Sequence, residues 1–116
     1  MAAVIETCEN GRDELLQTHY YRASYKQIRD SYLELLEGLK HDIISVNDDY
    51  FEIASEYGNM SVVAKIIMQT PIETSIDFYI SVESIFGGAG KARKFMEAIY
   101  AGLSKSFDAK GLGLHK

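Results

Sequence analysis

The first periodic stretch of the chain, from Asp13 to about Lys40, repeats apolar residues at the spacing of an α-helix. Side chains that follow one another at intervals of four and three residues lie on one face of a helix. The residues on this face are Tyr21, Tyr25, Ile28, Tyr32, Leu35 and Leu39. Asp13 and Lys40 also carry the charges that the helix dipole favours at the two ends. The stretch predicts a helix that packs on a sheet, with self-association through the same face as the alternative.

Residues 44 to 83 alternate between apolar and polar side chains, which is the period of β-strands with one buried face. Turn-forming residues interrupt the alternation at Asn47-Asp48, at Gly58-Asn59 and at residues 71 to 73. These connections are short enough for neighbouring strands to pair directly, so the segment predicts a four-stranded antiparallel meander.

The lengths of the three turns predict which residues pair across the meander. Two-residue turns at the first two sites and a three-residue connection at the third bring the apolar positions onto one face. The predicted cross-strand pairs are Ile44 with Phe51, Glu52 with Lys65, Ile53 with Ala64, and Ile66 with Phe78. The pair of Glu52 and Lys65 also joins opposite charges, which favours this register.

One face of the predicted sheet is almost entirely apolar and needs a covering layer. Its residues are Ile44, Phe51, Ile53, Val62, Ala64, Ile66, Met68, Ile76, Phe78, Ile80 and Val82. A second helical pattern follows, formed by Ala92, Phe95, Met96, Ile99 and Leu103. The sequence thus predicts an α+β two-layer sandwich, in which an N-terminal helix and a C-terminal helix both cover one face of the meander.

Length and composition fit one domain. The chain has 116 residues, of which 47% are hydrophobic, so it can bury one core but not two. We expect a single α+β domain over residues 1–116, with residues 1–10 and 106–116 mobile. Cys8 is the only cysteine, and the sequence shows neither a basic leader nor an apolar run long enough to span a membrane. These features lead us to expect a cytoplasmic protein without a disulfide framework.

Charge is distributed unevenly along the chain. Residues 41–83 carry one basic and eight acidic side chains, whereas residues 84–116 carry six basic and two acidic ones. The net charge of −5 argues against a general nucleic-acid binder, because such proteins present a basic surface to the phosphates. An acidic central segment instead favours a partner with basic groups.

The most distinctive short motif is SIFGGAGKARKF, residues 84–95, in which a predicted strand meets three glycines, a lysine and a predicted helix. Backbone amides at such a junction can bind an anion, and basic residues at a helix start, where acids are favoured, point to one. The candidate anion-binding residues are Gly87, Gly88, Gly90, Lys91 and Arg93. The motif is no phosphate-binding P-loop, because Ile85 replaces its first glycine. An ordinary strand-to-helix turn is the alternative.

The second candidate site is the face of the predicted sheet that the helices leave open. It combines tyrosines, aliphatic residues and carboxylates, a mixture that suits a protein partner with basic groups. The candidate partner-binding residues are Tyr50, Glu52, Ile67, Asp77 and Tyr79 on this face, and Tyr25 on the first helix. A solvated, half-polar surface is the alternative.

The remaining reactive side chains form no recognisable catalytic or metal-binding pattern. His19, His41 and His115 are far apart in the sequence and lack the spacing of metal ligands. Asp42 could orient the imidazole of His41, but no nucleophile accompanies them at an interpretable spacing. We therefore predict no metal, no cofactor and no catalytic residue.

These observations favour a small non-enzymatic interaction module. We expect a homodimer that binds a protein partner of inhibitor, immunity or adaptor type through its acidic and aromatic sheet face. The alternative is a small-molecule binder or enzyme that holds an anionic or phosphate group at residues 86–93.

Overall fold

A computed structural model describes residues 2–84 and 88–114. These residues form one antiparallel sheet of seven strands and two α-helices, which confirms the predicted α+β class. The strands are β1 (Ala2–Glu6), β2 (His19–Tyr21), β3 (Asp42–Asn47), β4 (Glu52–Tyr57), β5 (Met60–Thr70), β6 (Glu73–Glu83) and β7 (Ala109–Leu112). The helices are α1 (Tyr25–Gly38) and α2 (Ala89–Ser106), and one turn of 3-10 helix spans Glu14–Leu16.

The sheet has the strand order β3-β4-β5-β6-β2-β7, and β1 also pairs with β6. The long strand β6 thus has two partners on the same side, β1 along residues 79–83 and β2 along residues 74–76. The predicted four-stranded meander corresponds to β3 through β6, but the sheet of the structure has three further strands, β1, β2 and β7. Ala2–Glu6 and Ala109–Leu112, within the two segments predicted to be mobile, form β1 and β7, which pair with β6 and β2. Residues 1, 115 and 116 of these segments lie outside the described residues.

The first helix begins later than predicted. His19–Tyr21 is a strand, and α1 starts only at Tyr25. A capping box fixes this start, because the Ser24 hydroxyl accepts a hydrogen bond from the Gln27 amide (3.2 Å) and the Gln27 side chain accepts one from the Ser24 amide (2.9 Å). The buried residues of α1 are Ile28, Tyr32 and Leu36. Leu39, which was predicted to lie on the buried face, is exposed.

Helix α1 ends in a Schellman motif. Its two backbone hydrogen bonds run from the Lys40 amide to the Glu37 carbonyl (3.0 Å) and from the His41 amide to the Leu36 carbonyl (2.9 Å). The motif needs one residue in the left-handed region, and Lys40 adopts it with φ of 62°. Glycine usually occupies this place, yet Gly38 lies two residues earlier and is still helical. The motif places His41 at the junction of α1 and β3.

The predicted register is confirmed between β4 and β5, where Glu52 lies opposite Lys65. It is wrong by two residues between β5 and β6, where Ile66 pairs with Ile76 instead of Phe78. The connection has two residues, not three, and the ladder is irregular near the end of β5. A shift by two residues keeps every side chain on its own face, so these strands still bury the predicted residues.

The predicted turn between the first two strands is also wrong. Strand β3 ends at Asn47, and residues 48–51 form a four-residue loop. The Asn47 side chain shapes this loop by accepting a hydrogen bond from the amide of Tyr50 (3.2 Å). Phe51 has a φ of 60° and lies outside β4, so it does not face Ile44 across a ladder.

The core lies between the two helices and one face of β4 to β6. The buried sheet residues are Ile53, Val62, Ala64, Ile66, Ile76, Phe78, Ile80 and Val82. Helix α2 contributes all five predicted residues, Ala92, Phe95, Met96, Ile99 and Leu103, to the same cluster. Three other predicted core residues, Ile44, Phe51 and Met68, are exposed because they lie on the outer strand, in a loop and near the tip of the β5–β6 hairpin, away from the helices.

Candidate functional site

The face of the sheet opposite the core has no helix packed on it in the part of the chain that the structure describes. We call it the open face, and its side chains come from β1, β4, β5 and β6. They are Val4, Glu6, Glu52, Ala54, Glu56, Ser61, Val63, Lys65, Ile67, Asp77, Tyr79, Ser81 and Glu83. Carboxylates outnumber the single basic residue of this set, Lys65, so the open face is negatively charged.

Apolar side chains run through the middle of the open face. Val4 is 52% exposed and Tyr79 is 48% exposed, while Val63 and Ile67 are half-buried. Tyr79 lies opposite Val63 on one side and opposite Glu6 on the other. Directly opposite side chains in a sheet are close enough to form one contact surface. The open face therefore offers an aromatic and aliphatic strip bordered by carboxylates, as protein interfaces often do.

A groove of about 370 Å³ crosses this strip. Its lining residues are Glu6, Thr7, Glu52, Val63, Lys65, Asp77, Phe78 and Tyr79. The groove thus combines three carboxylates, one ammonium group and the ring of Tyr79. A guanidinium group can pair with a carboxylate and stack on an aromatic ring at the same time, so an arginine side chain suits this lining.

Asp77 is the most firmly held polar group of the groove. It lies on β6 where the neighbouring edge is interrupted between β1 and β2. Its Oδ1 accepts hydrogen bonds from the hydroxyls of Thr7 (2.6 Å) and Thr18 (2.8 Å). These two threonines lie at the two ends of the connection between β1 and β2, so both ends are attached to β6. Burial raises the pKa of the Asp77 carboxyl, against the effect of the two threonine hydroxyls. A carboxyl with a raised pKa in a groove is typical of binding sites.

The segment of residues 8–18 connects β1 to β2 and contacts both layers. Tyr20 of β2 is buried, and its hydroxyl donates a hydrogen bond to the carboxylate of Glu9. Burial and the Glu9 carboxylate both raise the pKa of the Tyr20 phenol, so it remains a donor. On the helix side, Asp13 forms an ion pair with Arg93 of α2 (3.2 Å). The segment is therefore anchored to both layers of the molecule.

Four of the six predicted partner-binding residues lie on the open face. They are Glu52, Ile67, Asp77 and Tyr79, of which all but Ile67 line the groove. The predicted position of Tyr50 on this face is wrong, because Tyr50 lies in the 48–51 loop. The unexpected length of that loop removes Tyr50 from the ladder.

Tyr25 belongs to the helix layer and lies apart from the groove. Its hydroxyl donates a hydrogen bond to Asp48 (2.7 Å), and its ring packs edge-on against Phe51 with the centroids 5.5 Å apart. Burial and the hydrogen bond to Asp48 raise the pKa of Tyr25 to about 12. Arg29 also pairs with Asp48 (3.2 Å). Tyr25 therefore fastens the 48–51 loop to α1, and the structure does not bring it together with the groove residues.

The two described glycines of the 84–95 junction differ, because Gly88 is required for close packing and Gly90 is not. Gly88 is the N-cap of α2, and a Cβ atom there would lie 2.5 Å from the Cβ of Val82. Only glycine lets α2 approach β6 this closely. Gly90 has no atom within 4 Å of such a Cβ position, and Gly87 lies outside the described residues.

The two cations of the predicted anion site have different partners. The Lys91 ammonium donates a hydrogen bond to the Asn59 side chain (2.6 Å) and lies 5.4 Å from the centroid of the Tyr57 ring. Arg93 pairs with Asp13 (3.2 Å). The structure thus does not bring Lys91 and Arg93 together at the start of α2, and these contacts explain the basic residues there without an anion. Anion binding at the junction stays a prediction.

His19 and His41 have different surroundings in the structure. His19 stacks on Tyr100 with the ring centroids 3.4 Å apart, His41 packs at the end of α1, and His115 lies outside the described residues. Among the residues described, no group of three histidine, cysteine or acidic side chains could hold a metal ion. Sequence reasoning missed Ser55, whose hydroxyl lies 3.4 Å from Nδ1 of His41.

Sequence reasoning also missed the contribution of β1 to the groove. Glu6 and Thr7 line it, although residues 1–10 were predicted to be a mobile segment. A signal was present, because Val4 and Glu6 alternate with Ile5 and Thr7 as in a strand. Such a short run cannot be distinguished from a tail until its partner, β6, is known.

No known protein family matches this chain, and a comparison with curated proteins gives no match either. None of the helices in the described residues has the length and apolar character needed to cross a membrane. The function is therefore inferred from the open face itself.

Proposed function

We propose that this chain is a small non-enzymatic interaction module that binds a basic segment of a partner protein on its open face. The observation that carries the proposal is the groove in which Tyr79 and Val63 lie among the carboxylates of Glu6, Glu52 and Asp77. Burial of aromatic and aliphatic surface supplies affinity, and the surrounding charges steer and select the partner. A module of inhibitor, immunity or adaptor type requires no catalytic residue and fits this arrangement.

The carboxylates determine the chemistry of the partner. A neutral or acidic partner would take Glu6, Glu52 and Asp77 out of water without a counter-charge, which is costly. Lys65, opposite both Glu52 and Asp77 in the sheet, balances only part of this charge. An arginine of the partner can stack on Tyr79 and pair with a carboxylate at once, so a basic segment is the occupant to which we commit.

Self-association belongs to a different surface in this proposal, the outer edge of β3. All six β3 residues are exposed, including Ile43, Ile44 and Val46, and β3 is the last strand of the sheet. An edge strand without lysine or proline is a template for pairing with another chain. Antiparallel pairing of two β3 strands can set Ile43 opposite Val46 and Asp42 opposite Asn47, with no like charges face to face. The proposed homodimer is joined along this edge.

A peptide of about ten residues that alternates arginine and alanine is a suitable probe for the open face. Binding of its fluorescent form to the full chain is measured by anisotropy at several salt concentrations. We expect binding that weakens with salt and falls at least about tenfold in the Glu6→Lys, Glu52→Lys double variant, because both charges border the groove. The matched control is Glu34→Lys, Glu37→Lys, which makes the same change of net charge at exposed positions of α1.

The two double variants separate site binding from general electrostatics. If both weaken binding equally, the peptide responds only to net charge and the groove is not the site. An unchanged affinity in the Glu6 and Glu52 variant would contradict the proposal in the same way. A peptide that alternates glutamate and alanine is the negative probe, and thermal unfolding shows whether each variant is folded.

A further inference from the structure

A separate cavity lies beside the first turns of α2, where the connection from α1 to β3 and the β4–β5 hairpin approach this helix. It has a volume of about 270 Å³. Its lining residues are Leu39, His41, Tyr57, Met60, Lys91, Lys94, Phe95 and Ala98. No carboxylate is among them, so the cavity combines mainly apolar walls with two ammonium groups and one imidazole. Its charge is opposite to that of the open face, and the proposed partner binding does not use it.

His41 is the buried polar group of this cavity. It is only 8% exposed, and its Nδ1 lies 3.4 Å from the hydroxyl of the buried Ser55. Burial and the nearby Lys91 ammonium lower the pKa of His41, against the effect of the adjacent Asp42 carboxylate, and so favour the neutral imidazole. When the Ser55 hydroxyl donates to Nδ1, the proton of the neutral ring is on Nε2. In that tautomer Nε2–H has no hydrogen-bond partner among the described residues and is a donor for a ligand.

Two lysines supply positive charge beside His41. The Lys91 ammonium uses one of its three donors on Asn59, so two donors remain. Lys94 is exposed and forms no ion pair within the described residues. An anion at the cavity can therefore accept hydrogen bonds from both lysines and from the imidazole.

Aromatic rings define the shape of the remaining space. The His41 ring lies between Tyr57, with centroids 5.3 Å apart and planes at 22°, and Phe95, with centroids 4.8 Å apart. Flat apolar groups pack well against such walls. A volume below the usual range for drug-sized ligands restricts the occupant to a molecule with about one ring.

We propose that this cavity binds a small aromatic anion, a carboxylate or phosphate on a single ring. The anionic group lies against His41, Lys91 and Lys94, and the ring lies among the aromatic walls. The site shares Lys91 with the anion site predicted from the glycine-rich motif. It differs in using side chains of α2, of the β4–β5 hairpin and of the α1–β3 connection instead of the backbone amides of the 86–93 turn.

Benzoate and phenyl phosphate are the probes that test this site, and their relative affinities identify the preferred head group. Each is titrated into the full chain while the ring signals of the histidines are followed by NMR. We expect a saturable shift of the His41 signals without a comparable shift of the His19 signals. Lys94→Gln should weaken binding about tenfold, whereas Lys105→Gln, an exposed lysine of the same helix outside the cavity, should leave it unchanged.

Two further ligands test the two halves of the proposed chemistry. Benzyl alcohol has the ring without the charge, and inorganic phosphate has the charge without the ring, so each should bind at least about tenfold more weakly than the better aromatic anion. The proposal is overturned if neither aromatic anion causes a saturable shift of the His41 signals, or if Lys94→Gln and Lys105→Gln weaken binding equally. It is also overturned if benzyl alcohol or inorganic phosphate binds as tightly as the better aromatic anion. The Glu6→Lys, Glu52→Lys variant should keep its benzoate affinity, so this site and the open face can fail independently.

Discussion

Lys40 and Phe51 have positive φ angles, 62° and 60°, although neither is glycine. A residue with a Cβ atom is strained in this region, so each position depends on the surrounding structure to hold it. Lys40 ends α1 directly before His41, and Phe51 ends the loop directly before Glu52. The two strained residues therefore position side chains of the groove and of the proposed anion-binding cavity around His41, Lys91 and Lys94, called the anion cavity below.

Lys40→Gly should stabilise the protein by about 0.5–1 kcal/mol, because glycine adopts the left-handed conformation of the Schellman position without strain. The greater conformational entropy of glycine in the unfolded chain offsets part of this gain. Urea unfolding of the two proteins measures the difference. Lys40→Ala is the control, since it removes the charge but keeps the Cβ atom and should give no such gain. Equal stabilisation by alanine and glycine would show that charge, not backbone strain, is responsible.

Asp77→Asn tests the environment of the central carboxyl of the groove. The pKa of Asp77 in the folded protein is raised above its usual value of 3.8, so ionisation of this carboxyl is less favourable in the folded state than in the unfolded state. The parent protein therefore loses stability as the pH rises from 3.8 through the folded-state pKa of Asp77. Asparagine keeps an acceptor for Thr7 and Thr18 but does not titrate. The unfolding free energy of the variant relative to the parent should therefore increase as pH rises from about 3.5 to 7. A relative stability that decreases over this range would mean that the threonine hydroxyls outweigh burial.

At the scale of elements, the sequence predicts helices and turns that are set by a local pattern. It does not predict short strands that form only by pairing with a distant part of the chain. The predicted core residues of α2 and the register set by Gly58-Asn59 are confirmed because the helical period and a tight turn are local features. Strands β1, β2 and β7 are too short to be identified without their partners: β1 and β2 pair with β6, and β7 pairs with β2. The capping box of Ser24 and Gln27 was a local signal for the start of α1 that the longer periodicity concealed.

Two glycines at the start of α2 give a matched test of how this element packs. Gly88→Ala should cost about 1–3 kcal/mol, because the new methyl group would overlap Val82. Gly90→Ala has free space and should stabilise the helix by about 0.5–1 kcal/mol. Chemical denaturation of both variants measures the difference. Similar effects at the two positions would contradict the close packing of α2 on β6.

At the scale of the whole molecule, the acidic and basic segments of the sequence form different parts of the structure. The acidic segment of residues 41–83 supplies β3 to β6 and most of the open face, while the basic segment of residues 84–116 supplies α2 and the lysines of the anion cavity. The groove and the cavity lie in different layers with opposite charge. The proposed basic partner and the proposed small anion would therefore not compete for the same side chains.

Self-association along β3 predicts a concentration-dependent dimer. Val46→Lys should weaken the dimer at least about tenfold, because it places a charge opposite Ile43 in the proposed strand pair. Val4→Lys, an equally exposed change on the open face, should leave the dimer intact. Sedimentation analysis over a range of concentrations distinguishes these results. A parent protein that stays monomeric, or a dimer that survives Val46→Lys, would contradict pairing along this edge.

The groove could be predicted from the sequence only in part. Glu52, Asp77 and Tyr79 were found because a register error of two residues leaves side chains on the same face. Glu6 and Thr7 were missed because strand β1 reaches the groove only by pairing with residues more than seventy positions later in the chain. The anion cavity was missed because the end of α1 brings His41 beside residues of α2, a contact that no short motif encodes.

Methyl NMR of the full chain with the arginine–alanine peptide tests most directly whether the open face is the binding surface. Val62 and Val63 are adjacent in sequence, as are Ile66 and Ile67, but one residue of each pair is in the core and the other is on the open face. We predict saturable shifts of the Val63 and Ile67 methyl signals, with much smaller shifts of the Val62 and Ile66 signals. Shifts confined to the helix layer, or equal shifts within each pair, would contradict binding on the open face.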